Sequence, residues 1–220
     1  MTVGPRRSVV LATRSAGKLV ELQAMAHARG VEVVDLAAVG LAAEDPAEDE
    51  LEVGATFEAN ARAKARWFSA RLPGHVVIAD DSGLEVMALG GAPGVRSKRW
   101  TGSTATGDAL HKENNAALLR ALEGVRDRSA RFVTVVAAVA AGGEWMARGE
   151  CPGRILEAPS GAEGFGYDPL FWSEELSAAF GAVDRATKAR VSHRARAFRA
   201  LWEDRSFLDA LAVDREPGTR

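Results

Sequence analysis

The chain begins with the pattern of a strand, a helix and a second strand. "SVVLAT" (8–13) is a short apolar run typical of a strand. "GKLVELQAMAHARG" (17–30) has apolar residues at helical spacing and ends in a glycine. "VEVVDL" (31–36) then indicates a second strand. Because a β-α-β unit favours a parallel strand pair, this order predicts an α/β fold.

The rest of the chain indicates a mixed sheet. Two long apolar runs on either side of Gly142 and Gly143 predict a β-hairpin. Further expected elements are helices over 55–72, 108–122 and 192–211, a strand over 75–80 and an acidic loop over 42–54. In the helix over 55–72, Phe57, Ala61, Lys64 and Phe68 are expected near one face. The glycine-rich stretches 83–103 and 160–171 are expected to be mostly loop, with a short helical turn as an alternative within the first. The sequence shows no linker and no repeat, so we expect one domain over 1–220, with an ordered core over 8–212 and a tail over 213–220. We expect this domain to have two lobes around a central cleft.

Composition weighs against several classes of protein. The net charge of −2 weighs against a protein whose main task is to grip nucleic acid. No apolar run approaches the ~18 residues of a membrane span. Cys151 is the one cysteine, so an internal disulfide is excluded and a cytoplasmic location is expected.

The stretch "TRSAGK", Thr13 to Lys18, lies where the first strand turns into the first helix. A helix N-terminus offers N–H groups and partial positive charge to an anion. Thr13 and Ser15 add hydroxyls, and Lys18 adds a full charge. The stretch is not a Walker P-loop, because Ala12 replaces its first glycine and Leu19 follows the lysine. A simple N-cap with a surface lysine is an equally open interpretation.

Two adjacent acids, Asp80 and Asp81, follow the apolar run "VVI". If the strand continues, their side chains point to opposite faces. Glu50 and Glu52 in the acidic stretch "AEDELE" are candidate partners, and converging carboxylates suit Mg²⁺. The alternatives are a solvated turn at the aspartates and a solvated acidic loop.

Two further stretches point to a bound anion and a flat ligand. The basic stretch contains Lys188, Arg190, His193, Arg194, Arg196 and Arg199. With Ser192 as N-cap, the first helical turn would carry cations at the end that the helix dipole disfavours, which a bound anion would explain. The alternative, an ordinary solvated basic helix face, fits Arg196 and Arg199 better. In "GFGYDP", Phe165 lies between glycines and could stack on a base, although an aromatic loop anchor is the commoner case.

Taken in order, these stretches resemble the inosine triphosphate pyrophosphatases, or Ham1-like proteins. The matching segments are "LATRSAGKLVEL", "GATFEANARAKA", "ADDSGLEVMALGGAPGVRSKRW", "GFGYDPLF" and "KARVSHRARA". The resemblance implies a mixed α/β fold of two lobes, usually a homodimer. It also implies Mg²⁺-dependent hydrolysis of noncanonical purine triphosphates (dITP, ITP, XTP, dXTP) to the monophosphate and pyrophosphate.

The resemblance also implies roles for particular residues. Asp81 is the implied catalytic acid and metal ligand, with Asp80 and Glu52 as further catalytic carboxylates and Glu52 as a second metal ligand. The implied substrate contacts are Thr13, Arg14, Ser15, Ala16, Gly17, Lys18, Lys64, Ser82, Phe165, Gly166, Tyr167, Asp168, Lys188, His193 and Arg194.

This chain departs from the family pattern at two places. The loop usually reads T-G-N-x-x-K, but here Arg14 and Ser15 replace the glycine and the asparagine. Many members have adjacent glutamates at the acidic site, whereas here Leu51 precedes Glu52, and Glu50 is the possible substitute.

Two rival functions use the same residues. A regulator that binds a nucleoside triphosphate without cleaving it is disfavoured by the two aspartates, since binding alone favours cations. An RNA-binding protein that uses the stretch 188–199 is disfavoured by the net charge of −2 and by the low aromatic content of 6%.

Overall fold

The computed structural model describes residues 7–213 and has a mixed α/β fold. Its strands are β1 (Arg7–Leu11), β2 (Val31–Val34), β3 (Val77–Val86), β4 (Ser129–Ala140), β5 (Gly143–Ile155), β6 (Phe171–Ser173) and β7 (Ala178–Ala179). Its helices are α1 (Ala16–His27), α2 (Phe57–Ser69), α3 (Gly107–Ala121), α4 (Arg185–Val191), α5 (His193–Glu203) and α6 (Arg205–Val213). Beyond Val213, the predicted tail lies outside the described residues. No helix between 7 and 213 is long and apolar enough to cross a membrane.

The strands form one sheet in the order β2-β1-β3-β4-β5-β6-β7. β1 pairs in parallel with β2 and with β3, which confirms the predicted β-α-β start. β4 and β5 are neighbours joined by two residues, as the glycine pair predicted. β6 pairs antiparallel with β5 and β7, so the sheet is mixed.

The chain divides into two compact units, each with its own apolar core. The first unit comprises 7–81, 135–148 and 197–213. Its core joins β1 and β3 to helices α1, α5 and α6 through residues such as Leu11, Ile78 and Phe207. The second unit comprises 82–134 and 149–196, and its core includes Leu84, Phe132 and Phe171. Burial of these side chains contributes ~1.5–3 kcal/mol each to stability.

The strand predicted to end at Asp80 continues to Val86. Gly83 does not end it, because Leu84 and Val86 beyond it are fully buried in the second core. Between them Glu85 accepts from Arg131 at 2.6 Å. The prediction of a loop from residue 83 was therefore wrong for 83–86.

The single helix predicted over 192–211 is in fact two helices, α5 and α6. Asp204 separates them, because its Oδ1 accepts the Phe207 backbone N–H at 3.1 Å and caps the second helix. Ser192 caps α5 as predicted, since its Oγ accepts the Ala195 N–H at 3.2 Å. The acidic stretch, predicted as a loop, contains a 3₁₀ helix over Pro46–Glu52.

Candidate active site

The two adjacent aspartates are part of β3, and each has different partners. Asp80 is fully buried, and its Oδ2 lies 2.8 Å from the Nζ of Lys18. Asp81 is also buried, and its Oδ2 accepts from the Nδ2 of Asn60 at 2.9 Å. A solvated turn does not bury its carboxylates, so that interpretation of the pair is excluded.

Burial raises the pKa of Asp81 above its usual value. The ammonium groups of Lys18 and Lys64 and the hydrogen bond from Asn60 oppose this shift, whereas the nearby Glu52 carboxylate adds to it. A carboxyl group held between burial and cations is the type of group that acid and base catalysis uses.

Lys64 is brought into the site by the buried face of α2. Thr56 caps this helix, its Oγ1 accepting the Ala59 N–H at 3.1 Å. The sequence predicted Phe57, Ala61, Lys64 and Phe68 near one face of a helix, and all four are buried. The helix thus directs one cation into a largely apolar buried face.

The Lys64 ammonium connects the acidic segment to β3. It donates to the carboxylate of Glu52 and, at 2.9 Å, to the backbone carbonyl of Asp80. Burial alone would lower the pKa of Lys64, but the charges of Glu52, Asp80 and Asp81 together raise it above its usual value. Lys64 therefore remains protonated and holds Glu52 near the aspartates.

The loop Thr13–Lys18 forms the N-terminus of α1. Ser15 is the N-cap, and its Oγ accepts the Lys18 N–H at 3.4 Å. Its own N–H donates to the Thr13 Oγ1 at 3.2 Å. The Ser15 hydroxyl that replaces the usual asparagine amide thus serves the helix cap. The guanidinium of Arg14 instead contacts Glu48 and the carbonyls of 41–43.

In the second unit, the glycine-rich loop is held around Asp168. The Asp168 Oδ2 accepts from Lys188 Nζ at 2.6 Å and from the Phe165 backbone N–H at 2.8 Å. Gly164 has a φ of +77°, and a Cβ there would lie 2.1 Å from the Asp168 Oδ2, so only glycine fits. The contacts fix the Phe165 ring, whose centroid lies 5.0 Å from Lys188 Nζ and 5.5 Å from Arg194 Cζ.

The first turn of α5 carries two buried cation-forming side chains. Arg194 donates through Nη2 to the Oγ of Ser82 at 3.2 Å. The His193 ring stacks on Phe132 with centroids 4.6 Å apart and planes 11° apart. Both residues are only 2–3% exposed, so they do not belong to a solvated basic face.

Tyr167 and Gly166, both predicted substrate contacts, form hydrogen bonds within the second unit. Tyr167 is buried, and its hydroxyl donates to the Ser97 carbonyl at 2.9 Å. Asn115, which the sequence analysis did not single out, donates to the Gly166 carbonyl at 3.1 Å. Both contacts anchor the loop that carries Phe165.

The donor set limits how a metal can be held. Between residues 7 and 213, no group of three or more His, Cys, Asp or Glu side chains is arranged to hold a metal ion. Asp81 and Glu52 supply two carboxylates. Mg²⁺ is commonly bound by one or two carboxylates together with substrate phosphates and waters, so this pair fits such an ion.

Comparison with known proteins shows the family to which this chain belongs. A family model described as the Ham1 family matches residues 9–204. The chain belongs to the Ham1 family. A dITP/XTP pyrophosphatase of Nocardia farcinica is 47% identical over 196 residues, covering 88% of this chain and 92% of that protein. A dITP/XTP pyrophosphatase of Acidobacterium capsulatum is 43% identical over 202 residues, covering 88% and 96%.

Solved Ham1 structures share the fold. The Staphylococcus aureus Ham1 protein aligns with a TM-score of 0.75 and 30% identity, covering 92% of this chain and 98% of that one. A dITP/XTP pyrophosphatase from Mycobacterium abscessus aligns with a TM-score of 0.66 and 38% identity, covering 90% and 100%. The resemblance and the fold class inferred from the sequence are therefore confirmed.

The first unit brings together the Ham1 residues predicted to handle phosphate and metal. Lys18, Lys64, Asp80, Asp81 and Glu52 are linked by direct contacts or electrostatic interaction. Glu50, the possible substitute ligand, is exposed, and Glu52 is the one that contacts Lys64.

Sequence reasoning missed Asn60, which is 1% exposed and bridges two parts of the site. Its Nδ2 donates to Asp81, and its Oδ1 accepts the Gly54 N–H at 2.7 Å. A signal was present, because Asn60 lies one helical turn before Lys64 on the buried face of α2. A polar residue at helical spacing on an apolar face requires a partner.

Proposed function

We propose that the protein hydrolyses dITP, ITP, XTP and dXTP to the monophosphate and pyrophosphate and thereby cleanses the nucleotide pool. The observation that carries the proposal is the buried Asp80–Asp81 pair enclosed by the ammonium groups of Lys18 and Lys64. Binding of a polyanion alone does not call for two buried carboxylates. The dITP/XTP pyrophosphatases among its Ham1 relatives support the same substrates.

Asp81 and Glu52 would hold Mg²⁺ together with the substrate phosphates. The bound ion would neutralise phosphate charge and lower the pKa of a coordinated water. Lys64 keeps Glu52 in place through its ammonium group, and Asn60 orients the Asp81 carboxylate. The oxygen-only donor set disfavours softer metals such as Zn²⁺.

The protein's own residues carry the remaining chemistry. Asp81 accepts a proton from the attacking water, with Asp80 as the neighbouring carboxylate. Lys18 and the N-terminal N–H groups of α1 stabilise charge on the triphosphate, assisted by the hydroxyls of Thr13 and Ser15. Because an ammonium group has three N–H donors, the contact of Lys18 with Asp80 does not preclude a contact with phosphate.

The second unit supplies the residues that we assign to the purine. Phe165 would stack on the ring, and Lys188, His193 and Arg194 would present donors to its edge, with Ser82 braced by Arg194. Asp168 and Tyr167 hold the loop that carries Phe165. Backbone groups of Gly166, Arg14, Ala16 and Gly17 complete the proposed contacts. We also propose that the enzyme is a homodimer and that it is cytoplasmic.

Product analysis with dITP and Mg²⁺ tests the proposal against its rivals. A pyrophosphatase releases pyrophosphate and dIMP. A phosphatase releases orthophosphate, a nucleotide-binding regulator binds dITP without turnover, and an RNA-binding protein binds single-stranded RNA in preference to dITP. Any of the last three results would overturn the proposed function.

A further inference from the structure

Arg14 stands inside the loop Thr13–Lys18, but its side chain contacts a different segment. Its Nε and Nη2 donate to both carboxylate oxygens of Glu48, at 3.0 and 2.6 Å. Nη1 donates to the carbonyls of Leu41 and Ala42 at 2.7 and 3.2 Å, and Nη2 donates to that of Ala43 at 2.9 Å. Five hydrogen bonds therefore use the planar fork of the guanidinium.

The carboxylate that receives Arg14 also starts the 3₁₀ helix Pro46–Glu52. Glu48 Oε1 accepts the Asp45 N–H at 3.1 Å, and Asp45 Oδ1 accepts the Ala47 N–H at 2.9 Å, which is a capping box. The hydrogen bond to Glu48 raises the pKa of Arg14, and the same bond lowers the pKa of Glu48. Both partners are therefore charged throughout the neutral range.

This short helix buries little of its own surface. A 3₁₀ helix has poorer hydrogen-bond geometry than an α-helix, and none of the residues Pro46–Glu52 is fully buried, although the segment lies against α2. Apolar burial therefore contributes little to its position. Polar contacts hold its two ends, through Arg14 with Glu48 at the start and Lys64 with Glu52 at the finish.

We propose that Arg14 is a positioning residue that clamps the segment 41–52 and thereby fixes Glu52 for the metal-bound triphosphate. The proposal rests on the function proposed above for Glu52. It differs from a direct phosphate contact by Arg14, because the guanidinium nitrogens are already committed to Glu48 and to three carbonyls. Lysine cannot reproduce the clamp, since a point charge lacks the bidentate fork.

Hydrogen exchange of the protein without metal or nucleotide tests the clamp itself. Arg14→Lys and Glu48→Gln should each speed amide exchange over 45–52 by about tenfold, because local opening becomes easier. The control is Arg62→Lys, which alters another arginine–glutamate pair (Arg62 Nε to Glu144 Oε1, 2.7 Å) and should leave 45–52 unchanged. Unchanged exchange over 45–52 in both test variants would overturn the proposal.

Kinetics with dITP test the positioning role. Each single variant should raise the half-saturating Mg²⁺ concentration by about tenfold, the lower end of what loss of an outer partner costs at a metal site. Because the two residues share the Arg14–Glu48 contact, the effects of the single variants should not multiply in the double variant. Multiplying effects, or a loss confined to Arg14→Lys, would indicate direct substrate binding and overturn the proposal.

The two sets of measurements separate the clamp from the proposed function. If the wild-type protein does not release pyrophosphate from dITP, the proposed function fails, and exchange still decides whether the clamp exists. If the wild type is active and exchange rises while the Mg²⁺ dependence stays unchanged, the clamp does not position Glu52 and the proposal is wrong.

Discussion

Removal of the Lys18 charge should destabilise the fold as well as slow the reaction. The Lys18 Nζ lies 2.8 Å from an Asp80 carboxylate that is 0% exposed, and its own side chain is 16% exposed. Loss of one partner from a buried ion pair costs about 3–5 kcal/mol. We expect about 3 kcal/mol for Lys18→Met, because Lys64 also interacts with Asp80 and methionine keeps the apolar stem.

Urea unfolding followed by tryptophan fluorescence measures this loss. With a slope of about 2 kcal/mol per M, the midpoint should fall by about 1.5 M. The double variant Lys18→Met/Asp80→Asn should regain about 2 kcal/mol, because a neutral amide is cheaper to bury than a carboxylate. The control Arg62→Met removes a more exposed pair and should change stability by less than about 1 kcal/mol.

The same variants separate stability from catalysis. Lys18→Met should lower kcat/KM for dITP by an amount equivalent to about 2–4 kcal/mol of lost transition-state stabilisation. The double variant should not recover kcat/KM. An unchanged urea midpoint in Lys18→Met, or a double variant no more stable than the single one, would refute the argument from the ion pair. An unchanged kcat/KM would show that "TRSAGK" is only a capped turn.

Three further predictions concern the base, the metal and the buried thiol. ITP should exceed ATP at least about a hundredfold in kcat/KM, because the donors of His193, Arg194 and Lys188 suit a 6-keto oxygen and not an amine; comparable steady-state rates would refute this. Chelation with EDTA should abolish dITP turnover and added Mg²⁺ should restore it, so turnover in EDTA would exclude the metal role. Burial raises the pKa of the Cys151 thiol from 9.0 to about 11. As pH rises above 9, the thiol therefore ionises in the unfolded chain before it ionises in the folded protein. The free energy of unfolding falls as pH rises from the unfolded-state pKa through the folded-state pKa. Relative to Cys151→Ala, the wild type should therefore lose about 1 kcal/mol of unfolding free energy between pH 8 and pH 10, and parallel curves would contradict the shift.

Local patterns predicted the elements whose cause is local. The β-α-β start, the hairpin at Gly142–Gly143 and the buried face of α2 follow from apolar periodicity, and Ser192 follows from cap chemistry. The extension of β3 through Gly83 does not, because it depends on a second core formed by residues distant in sequence.

In the active site too, local patterns identified some residues, whereas the roles of others depend on contacts between distant parts of the chain. Adjacent carboxylates after an apolar run identified Asp80 and Asp81, but their division of labour depends on Lys18 and Asn60, which approach from other elements. Arg14 was assigned to the substrate because of its place in the loop. Its contacts with the segment 41–48 arise from chain folding over long sequence separation, which no local pattern reports.

The central claim is that Asp81 carries the chemistry of pyrophosphate release. The measurement is dITP turnover with Mg²⁺ for wild type, Asp81→Asn and the surface control Asp209→Asn, with dITP binding and urea unfolding measured on the same samples. Asp81→Asn should remain folded, because neutralising a buried carboxylate removes a desolvation cost, yet lose turnover by at least about a hundredfold, as expected for loss of a general base. Asp209→Asn should match the wild type. Turnover by Asp81→Asn above about a tenth of the wild-type rate would contradict the assignment, because loss of a general base costs ~10²–10⁴ in rate.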